Sequence, residues 1–523
     1  MSGAMTGPIT HSNSATWRLR SVTELQLRFV AEVLALDLRP GDVIGLRGEL
    51  GAGKTTFARA LLQALLGDED LEIPSPTFAL AQSYEAPRFP IAHFDLYRIG
   101  GPGDLAELGF EDAFANGVAL IEWPERAGAA VPADRLDVTL TETADPALRD
   151  VALAGHGSWA ARAARLGTIA RFLEQAGWGA ARVHFLQGDA STRRYARLAR
   201  DGGRAILMDA PRQGDGPIVR DGKSYSRIAH LAEDVRPFIA IDRALRTAGF
   251  SAPDIYAQNV PAGLLLIEDL GDRVFGAEMR SSTPQATLWR AAVDALIEMR
   301  RMPPGHDLPL GDGTTHTLPR FDRAALEIEI DMLLEWYWPE VKGAPAPEAM
   351  RAEFHALWSP VLDRLMALEP GWFLRDVHSP NLIWLPERHG VRRIGLIDFQ
   401  DALAEHFAFD LASLLQDARV DVPATLEAEL LDYYCATVAA REPGFERADF
   451  AAVYAAFGAQ RNTRLIGLWV RLLRRDGKPG YLQHMARTWG YLERNLKHPA
   501  LAGLRGWYDA NLGADVRARK IVA

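Results

Sequence analysis

A glycine-rich loop near the N-terminus carries the clearest chemical pattern in the sequence. Residues 48–55 read GELGAGKT, which fits G-x-x-x-x-G-K-[ST], between the apolar run 42–47 and the helix-like stretch 55–66. In such a loop the backbone N–H groups and the helix N-terminus surround phosphates, the lysine reaches the outer phosphates, and the next hydroxyl binds Mg²⁺. The sequence therefore predicts an ATP and Mg²⁺ site at this loop. Its candidate nucleotide-binding residues are Gly48, Gly51, Gly53, Lys54, Thr55 and Thr56, of which Thr55 is also a candidate metal ligand.

Two carboxylates at the ends of apolar runs are candidates for chemistry beside this loop. The run 118–122 ends on Glu122, which we predict to be a metal ligand and a catalytic residue, because a strand-end carboxylate completes such metal sites. The run 91–95 ends on Asp95, which we predict to orient water or Mg²⁺. Trp123 is predicted to stack on adenine. The structural alternatives are a salt bridge at Glu122, a solvated strand end at Asp95 and core packing of Trp123.

A second group of residues, far along the chain, has the spacing of a phosphotransfer site. Asp376 and Asn381 form Asp-x₄-Asn, and Asp398 follows the strand-like run 393–397. In kinase-type transfer a loop carboxylate accepts the hydroxyl proton, an asparagine five residues later holds Mg²⁺, and an aspartate after the next strand holds the metals that bridge the phosphates. We therefore predict Asp376 as catalytic base and Asn381 and Asp398 as metal ligands. His378 is either a substrate contact or a satisfied loop histidine.

Two upstream segments could complete this second site. Residues 187–195, QGDASTRRY, fit a turn between two strands that could cover phosphates. Residues 268–270 could present backbone groups to adenine at a linker between two lobes. The candidate nucleotide-binding residues of these segments are Gly188, Ser191, Arg193, Glu268 and Leu270.

Strand-like runs and helix-like stretches must position these residues, and together they predict an α/β protein. The 523 residues exceed the roughly 100–200 of one domain, so we expect at least two domains. Ser21 and Glu24 have capping-box spacing and predict a helix through about Leu36. Alternating runs at 136–140 and 149–153 predict a closing hairpin. The predicted domains are a flexible leader over 1–18, a phosphate-loop ATPase domain over 19–157, and a second domain over 158–523 with a small lobe at about 165–270 and a helical large lobe at about 271–523.

Composition and charge limit the function classes. The net charge of −10 argues against general binding of a phosphate backbone, so contact with nucleic acid would be local or indirect. The single cysteine, Cys435, excludes an intramolecular disulfide and fits a reducing compartment. The N-terminus lacks the apolar core of a signal peptide, and no run is long enough to span a membrane. These features predict a cytoplasmic protein without membrane contact.

The N-terminal motifs together resemble a known family. The loop at 48–55 is followed in order by SPTF at 75–78, HFDLYR at 93–98 and IEW at 121–123. This combination resembles the TsaE-type ATPase subunit of the bacterial machinery that makes tRNA threonylcarbamoyladenosine. The resemblance implies a P-loop NTPase fold with a central, mostly parallel sheet. It also implies that Thr77 lies near the γ-phosphate, and that Asp95 and Glu122 support Mg²⁺ and hydrolysis. The implied partners are the transferase subunit and its dimerisation partner, which modify adenosine 37, so that tRNA is reached only indirectly.

The second site has a resemblance of its own. With the segments at 410–417 and 474–478, the motifs from about residue 165 onward resemble the aminoglycoside phosphotransferase superfamily, and within it the anomeric N-acetylmuramate/N-acetylglucosamine kinases. The resemblance implies a bilobal, protein-kinase-like α+β domain that uses ATP and Mg²⁺ to phosphorylate the C1 hydroxyl of a small amino sugar. Met208 departs from the wider kinase pattern, because a strand lysine usually contacts the phosphates there. Arg193 or Arg194 could compensate; exposed surface arginines are the alternative.

Two other functions stay open for the second domain. It could phosphorylate choline, an aminoglycoside or another hydroxyl compound, because the phosphate machinery does not choose the acceptor. It could also be a nucleotide-binding interaction module without turnover, which the absent lysine at Met208 would favour. An acidic and aromatic stretch could line a sugar pocket, but solvated carboxylates and core indoles are the favoured interpretation. Its members are Glu327, Glu329, Asp331, Trp336 and Trp338.

Overall fold

The computed structural model describes residues 16–100, 105, 108–186, 193–303 and 307–522, and the chain divides into two compact units. The first unit comprises Met1–Pro211 together with Ile255–Asp269, and the second comprises Arg212–Asp254 together with Leu270–Ala523. Within the described ranges, no helix combines the length and apolar character that crossing a bilayer requires.

The first part of the chain forms a seven-stranded sheet with a parallel centre. Its elements are β1 (Thr16–Val22), α1 (Glu24–Ala35), β2 (Val43–Arg47), α2 (Lys54–Leu66), β3 (Ala81–Glu85), β4 (Pro90–Asp95), α3 (Asp112–Asn116), β5 (Val118–Glu122), β6 (Arg135–Glu142) and β7 (Arg149–His156). The strand order is β1-β7-β6-β2-β5-β4-β3. Strands β6, β2, β5 and β4 are parallel neighbours, while β1, β7 and β3 pair antiparallel at the flanks. The buried apolar runs of β2 and β5 are typical of central parallel strands, and the predicted α/β class is confirmed.

The first helix begins two residues later than the sequence predicted. Strand β1 runs to Val22, so Ser21 lies at its end with φ +52° and cannot cap the helix. Thr23 is the N-cap instead: its hydroxyl accepts from the Gln26 N–H, and the Gln26 side chain accepts from the Thr23 N–H. The predicted pair Ser21 and Glu24 was therefore wrong, because the capping box of this helix is formed by Thr23 and Gln26.

A second sheet of the first unit is antiparallel throughout. The chain continues through α4 (Trp159–Gln175), β8 (Arg182–Leu186), β9 (Arg194–Arg200), β10 (Gly203–Asp209), β11 (Ile218–Arg220), β12 (Lys223–Ser224), α5 (Tyr225–Ile228), α6 (Arg236–Thr247), β13 (Ile255–Asn259) and β14 (Leu264–Glu268). The sheet has the order β13-β14-β10-β9-β8, which leaves β8 at one edge. One hydrophobic core joins both sheets of this unit, and it includes Trp17 and Leu34 from the first sheet's side and Leu198 and Leu207 from the second.

The second unit is mostly helical. After α5 and α6 it contains α7 (Phe275–Ser281), α8 (Gln285–Met299), β15 (Asp307–Pro309), β16 (Thr315–Thr317), α9 (Arg323–Met332), α10 (Trp338–Lys342), α11 (Glu348–Met366), β17 (Gly371–Phe373), β18 (Leu382–Trp384), β19 (Ile394–Leu396), β20 (Leu403–Glu405), α12 (Ala408–Leu415), α13 (Ala424–Ala439), α14 (Arg447–Arg474), α15 (Met485–Leu496), α16 (Ala502–Asn511) and α17 (Ala514–Arg517). The long helix α14 packs against α9, α12 and α15. The short pairs β17–β20 and β18–β19 interrupt the helices, and β19 lies within the strand-like run 393–397 that the sequence predicted.

Candidate active sites

The phosphate-binding loop joins β2 to α2, as the sequence predicted. Gly48 has φ +138°, and a Cβ there would lie 2.3 Å from the Leu140 carbonyl oxygen, so only glycine fits. Gly53, with φ +102°, precedes the first residue of α2. Lys54 Nζ donates to the carbonyl oxygens of Gly48 at 2.8 Å and Glu49 at 2.9 Å. The lysine is thus folded over the loop, where phosphates of a bound nucleotide would replace these carbonyl acceptors.

The other predicted residues of the first site lie in the loop, in the first turn of α2 or against the Lys54 side chain. Gly51 has φ +87°, and its carbonyl accepts from Arg149 at 3.3 Å. Thr56 is half-buried in the first turn of α2. The Lys54 ammonium lies 3.7 Å from the centroid of the Trp123 ring, and the centroid of the Tyr97 ring lies 5.0 Å from that of Trp123. Burial lowers the pKa of Lys54, and the nearby Glu122 opposes that shift. Stacking of Trp123 on adenine stays a prediction.

The register of the parallel sheet brings the two predicted carboxylates together. Asp95 at the end of β4 is the neighbour of Glu122 at the end of β5, and Glu122 is also paired with Leu46 of β2, just before the loop. The Thr55 hydroxyl donates to Glu122 Oε2 at 3.1 Å. The His93 ring lies 3.1 Å from Glu122 Oε1, and both side chains are fully buried. His93 lies in the motif at 93–98, but the sequence did not predict its contact with Glu122.

Asp95 accepts hydrogen bonds from hydroxyl groups of a neighbouring loop. Its Oδ2 accepts from the Ser75 hydroxyl at 3.0 Å and from the Thr77 hydroxyl at 3.1 Å. Its Oδ1 accepts from the Tyr97 N–H at 3.1 Å. Asp95 therefore holds the segment that contains Ser75 and Thr77 against the strand ends, and the sequence had not predicted the contact of Ser75.

The second unit brings the three predicted phosphotransfer residues to one cavity. Asp376, Asn381 and Asp398 all line it, with apolar neighbours such as Val377 and Phe399. Asn381 Nδ2 donates to the Asp376 carbonyl at 3.0 Å, which fixes the loop around the predicted base. Asp398 has φ +59°, and the Gln400 amide donates to its Oδ1 at 3.0 Å.

Buried carboxylates in α12 and just after it hold the loop that carries Asp376. Asp410 accepts from the N–H groups of Leu374 at 2.7 Å and Arg375 at 2.9 Å, and burial raises the pKa of Asp410 to about 7. Asp417 accepts from the Ser379 N–H at 2.6 Å. These two aspartates fix both ends of the loop. Asp410 and Asp417 both lie in the segment 410–417, but the sequence did not indicate that they hold the loop.

Arg375 and His378 are inner members of the same loop. Arg375 has φ +74°, and its buried guanidinium donates to the Ala229 carbonyl at 2.9 Å and pairs with Glu329. His378 is half-buried next to Asn381, and burial lowers its pKa to about 3. The imidazole is therefore neutral at physiological pH, so it does not supply a positive charge to a substrate.

The upstream candidates of the second site have different outcomes. Gly188 and Ser191 lie outside the described residues, and Arg193 precedes the first residue of β9. The Met208 side chain is buried, and the neighbouring Arg194 pairs with Asp37 and Asp209. Glu268 ends β14. Leu270 packs against Ile383 and Leu385. Their roles in nucleotide binding stay predictions.

The acidic stretch on α9 makes internal contacts. Glu327 pairs with Arg323 on the same helix, and Asp331 pairs with Arg220 and with His355 at 3.0 Å. The Trp338 ring lies 6.0 Å from that of Trp507. Glu329 and Asp331 are buried in ion pairs, so the favoured interpretation as solvated carboxylates was wrong for these two residues, whereas Trp338 is buried like the predicted core indole.

The donor groups of both sites have the chemistry that Mg²⁺ requires. Mg²⁺ prefers oxygen ligands and is usually held by one or two carboxylates together with substrate phosphates. The Thr55 hydroxyl and Glu122 carboxylate supply such oxygens at the first site, and the Asn381 amide and Asp398 carboxylate supply them at the second. These residues would hold the ion, which would neutralise phosphate charge when bound.

The fold and the sites define a phosphate-loop ATPase domain followed by a kinase-like phosphotransferase. Residues 21–150 match the family described as threonylcarbamoyl adenosine biosynthesis protein TsaE, and residues 182–450 match the phosphotransferase enzyme family. The chain belongs to both families, joined in one polypeptide.

Curated relatives match each part separately. An N-acetylmuramate/N-acetylglucosamine kinase of Caulobacter vibrioides is 39% identical over 66% of this chain and 97% of its own length. A tRNA threonylcarbamoyladenosine biosynthesis protein TsaE of Rickettsia bellii is 39% identical over 23% of this chain and 81% of its own length. The corresponding protein of Rickettsia conorii is 46% identical over 20% of this chain and 58% of its own length.

Proposed function

We propose that this protein is bifunctional. Its ATPase domain supports threonylcarbamoylation of adenosine 37 in tRNA, and its kinase-like domain phosphorylates the anomeric hydroxyl of N-acetylmuramate and N-acetylglucosamine. One observation carries the kinase half: Asp376, Asn381 and Asp398 converge on one cavity in a chain that covers nearly all of a 39% identical kinase for these sugars. A cytoplasmic location is part of the proposal, because tRNA and ATP are found there.

In the proposed transfer, Asp376 accepts the proton of the C1 hydroxyl while the sugar oxygen forms a bond to the γ-phosphorus of ATP. The bond from that phosphorus to the β,γ-bridging oxygen breaks, and ADP leaves with the electron pair. A hemiacetal hydroxyl is a stronger acid than an ordinary alcohol, so one positioned carboxylate suffices as base. Asn381 and Asp398 are the proposed ligands of Mg²⁺, and Asp410 keeps the loop in position through its backbone N–H groups.

In the proposed ATPase site, Lys54 and the loop backbone bind the phosphates and Thr55 and Glu122 hold Mg²⁺. The contact between His93 and Glu122 and the hydroxyl contacts of Asp95 support this assignment, because they fix both carboxylates beside the loop. The proposed partners are the tRNA threonylcarbamoyl transferase subunit and its dimerisation partner. Turnover by the protein alone is expected to be slow and to rise when that complex is added.

The kinase proposal is tested by phosphorus NMR of the products formed from Mg-ATP and each sugar, with choline and an aminoglycoside as competing acceptors. We expect a sugar 1-phosphate with the unchanged chain and with Lys54→Ala, and a loss of about 10²–10⁴-fold with Asp376→Asn. Transfer only to choline or the aminoglycoside would contradict the proposed sugar substrate. Absence of any phosphorylated acceptor would overturn the kinase activity and favour a nucleotide-binding module.

The ATPase proposal is tested by the release of inorganic phosphate without sugar, with and without the transferase complex. We expect Lys54→Ala to abolish the stimulated release and Asp376→Asn to leave it unchanged. The two substitutions therefore control for each other. A rate that is equally high with and without the complex would contradict the partner-dependent role.

A further inference from the structure

The long helix α14 carries a short row of solvent-accessible side chains on an otherwise buried stretch. All residues from 452 to 473 are buried apart from Arg464, Leu468 and Arg471, which are half-buried. Positions three and four apart are neighbours on one face of a helix, so these three side chains share a face. Two of the three are arginines, and this face of α14 therefore presents positive charge where the helix reaches solvent.

Arg464 is connected to the loop of the proposed base through one carboxylate. Its Nε lies 3.6 Å from Glu329 Oε1, and the same carboxylate pairs with Arg375, the residue before Asp376. Burial lowers the pKa of Arg464, but Glu329 and Asp376 are among the charges that raise it above its ordinary value. The arginine face of α14 is therefore next to the loop that carries the proposed catalytic base.

This part of the second unit has fewer paired carboxylates than arginines. Glu329 is shared between Arg375 and Arg464, so one negative charge serves two guanidinium groups. In the part of the chain that the structure describes, Arg471 forms no ion pair with a carboxylate. A guanidinium stays protonated in proteins, and burying it without an anion costs free energy. The face therefore has an excess of positive charge that an anionic ligand would compensate.

The contacts of Arg471 leave part of its guanidinium without an acceptor. One Nη atom donates to the Met332 sulfur, a weak acceptor, at 3.7 Å, and the guanidinium carbon lies 5.0 Å from the centroid of the Tyr225 ring. Its Nε is buried and has no hydrogen-bond partner among the described residues. Asp476 and Glu335 are within electrostatic range of Arg471 but form no ion pair with it. Guanidinium donors match a carboxylate in both geometry and charge, so this environment suits one.

We propose that Arg464 and Arg471 form a subsite for a carboxylate on the acceptor sugar, and that this subsite favours N-acetylmuramate over N-acetylglucosamine. The two sugars differ in the lactyl group on O3, which gives N-acetylmuramate a carboxylate that N-acetylglucosamine lacks. Because C2 separates C3 from C1, the C1 hydroxyl can face Asp376 while the lactyl carboxylate faces α14. The inference rests on the proposed kinase function, whose acceptor it specifies.

The first test measures kcat/KM for both sugars with the full-length protein and its Arg471→Gln variant. We expect the ratio of kcat/KM for N-acetylmuramate to that for N-acetylglucosamine to fall by about 10–100-fold, because a hydrogen bond to a charged group is lost. The matched control is Arg475→Gln, four residues further along α14, where the arginine is exposed and pairs with Asp476. This control should leave the ratio within about twofold. An unchanged ratio with Arg471→Gln, or equal effects of the two variants, would overturn the inference.

A change on the ligand tests the same contact in the unchanged protein, whatever the folding of a variant. The methyl ester of N-acetylmuramate keeps the lactyl group but removes its charge. In calorimetric titrations without ATP, we expect the unchanged protein to bind the acid about 10–100-fold more tightly than the ester. Arg471→Gln should bind the two with affinities within about threefold of each other.

These titrations also separate the inference from the kinase function, because they involve no phosphate transfer. Preference for the acid that depends on Arg471 supports the carboxylate subsite even if no sugar phosphate forms. Equal binding of acid and ester by the unchanged protein, or binding of neither, would overturn the inference. A preference that is undiminished in Arg471→Gln would also overturn it, because the carboxylate would then bind elsewhere.

Discussion

Glu329 offers the sharpest test of how the catalytic loop of the second unit is held. Its carboxylate on α9 has no exposed surface and pairs with the buried guanidinium of Arg375, the residue before the predicted base. Gln460 Nε2 donates to it at 3.0 Å, and Arg464 lies 3.6 Å away. The substitution Glu329→Gln removes the negative charge and leaves the two arginines in place.

The expected cost follows from this burial. Removing one partner of a buried ion pair costs about 3–5 kcal/mol, because the other charge stays buried without compensation. Arg375 keeps its bond to the Ala229 carbonyl, so we expect Glu329→Gln to lower the free energy of unfolding by about 3–4 kcal/mol, in the lower part of that range. The matched control is Glu327→Gln on the same helix. Its pair with Arg323 is about one-third exposed, and the expected cost is about 0.2–1 kcal/mol.

The assay is urea unfolding followed by tryptophan fluorescence, at pH 7 and at several lower values. Burial raises the pKa of Glu329, but Arg464 and Arg375 outweigh it, so the folded pKa lies below the ordinary 4.5. Stability from the ionised carboxylate is therefore complete above about pH 4.5 and is lost as pH falls through the lower folded pKa. The difference in the free energy of unfolding between the unchanged chain and Glu329→Gln should disappear in that acidic range. A cost at pH 7 no larger than that of Glu327→Gln would refute the reasoning.

Three further substitutions test the two sites. His93→Ala should raise the Mg²⁺ concentration needed for half-maximal ATP hydrolysis by about 10–100-fold, because Glu122 loses the group that orients it. An unchanged Mg²⁺ concentration for half-maximal hydrolysis would contradict this. Asp410→Asn replaces one of the two carboxylate oxygens that accept from the N–H groups of Leu374 and Arg375 with an amide group that cannot accept in the same way. Steady-state kinetics should therefore show a lower kcat for sugar phosphorylation with little change in the KM for ATP. A change in the KM alone would count against this prediction. Because burial lowers the pKa of His378 to about 3, His378→Gln should leave the acidic limb of the pH–rate profile between pH 5 and 8 in place, and a shifted limb would argue for a titrating imidazole.

The sequence was sufficient where a function depends on neighbouring residues. The loop at 48–55 needs glycines at fixed positions, a lysine and a hydroxyl, and all of these lie within one strand–loop–helix unit. Asp376 and Asn381 are likewise only five residues apart, within one loop. Local spacing therefore predicts which side chains converge, and the structure places Asp398 on the same cavity as both.

Contacts across the sheet register could not be predicted in the same way. His93 and Glu122 are separated by 29 residues, and they meet because β4 and β5 are parallel neighbours in one particular register. The capping box shows the same limit at short range. Two pairs with suitable spacing overlap near residue 21, and the pairing of β1 with β7, more than a hundred residues away, decides that Thr23 and not Ser21 caps the helix.

The junction inside the first unit argues that its two sheets depend on each other for stability. Only two residues separate β7 from α4, and α4 then packs its apolar side into the core that both sheets share. Gly167 of α4 approaches the Trp17 ring so closely that a Cβ would lie 3.0 Å from it. Glu32 of α1, buried in this junction, accepts from the Val183 N–H at 2.7 Å on the edge strand β8. Without the ATPase domain that N–H would need another acceptor and α4 would lose its packing on β1, β7 and α1, so the ATPase domain completes the fold of the neighbouring sheet.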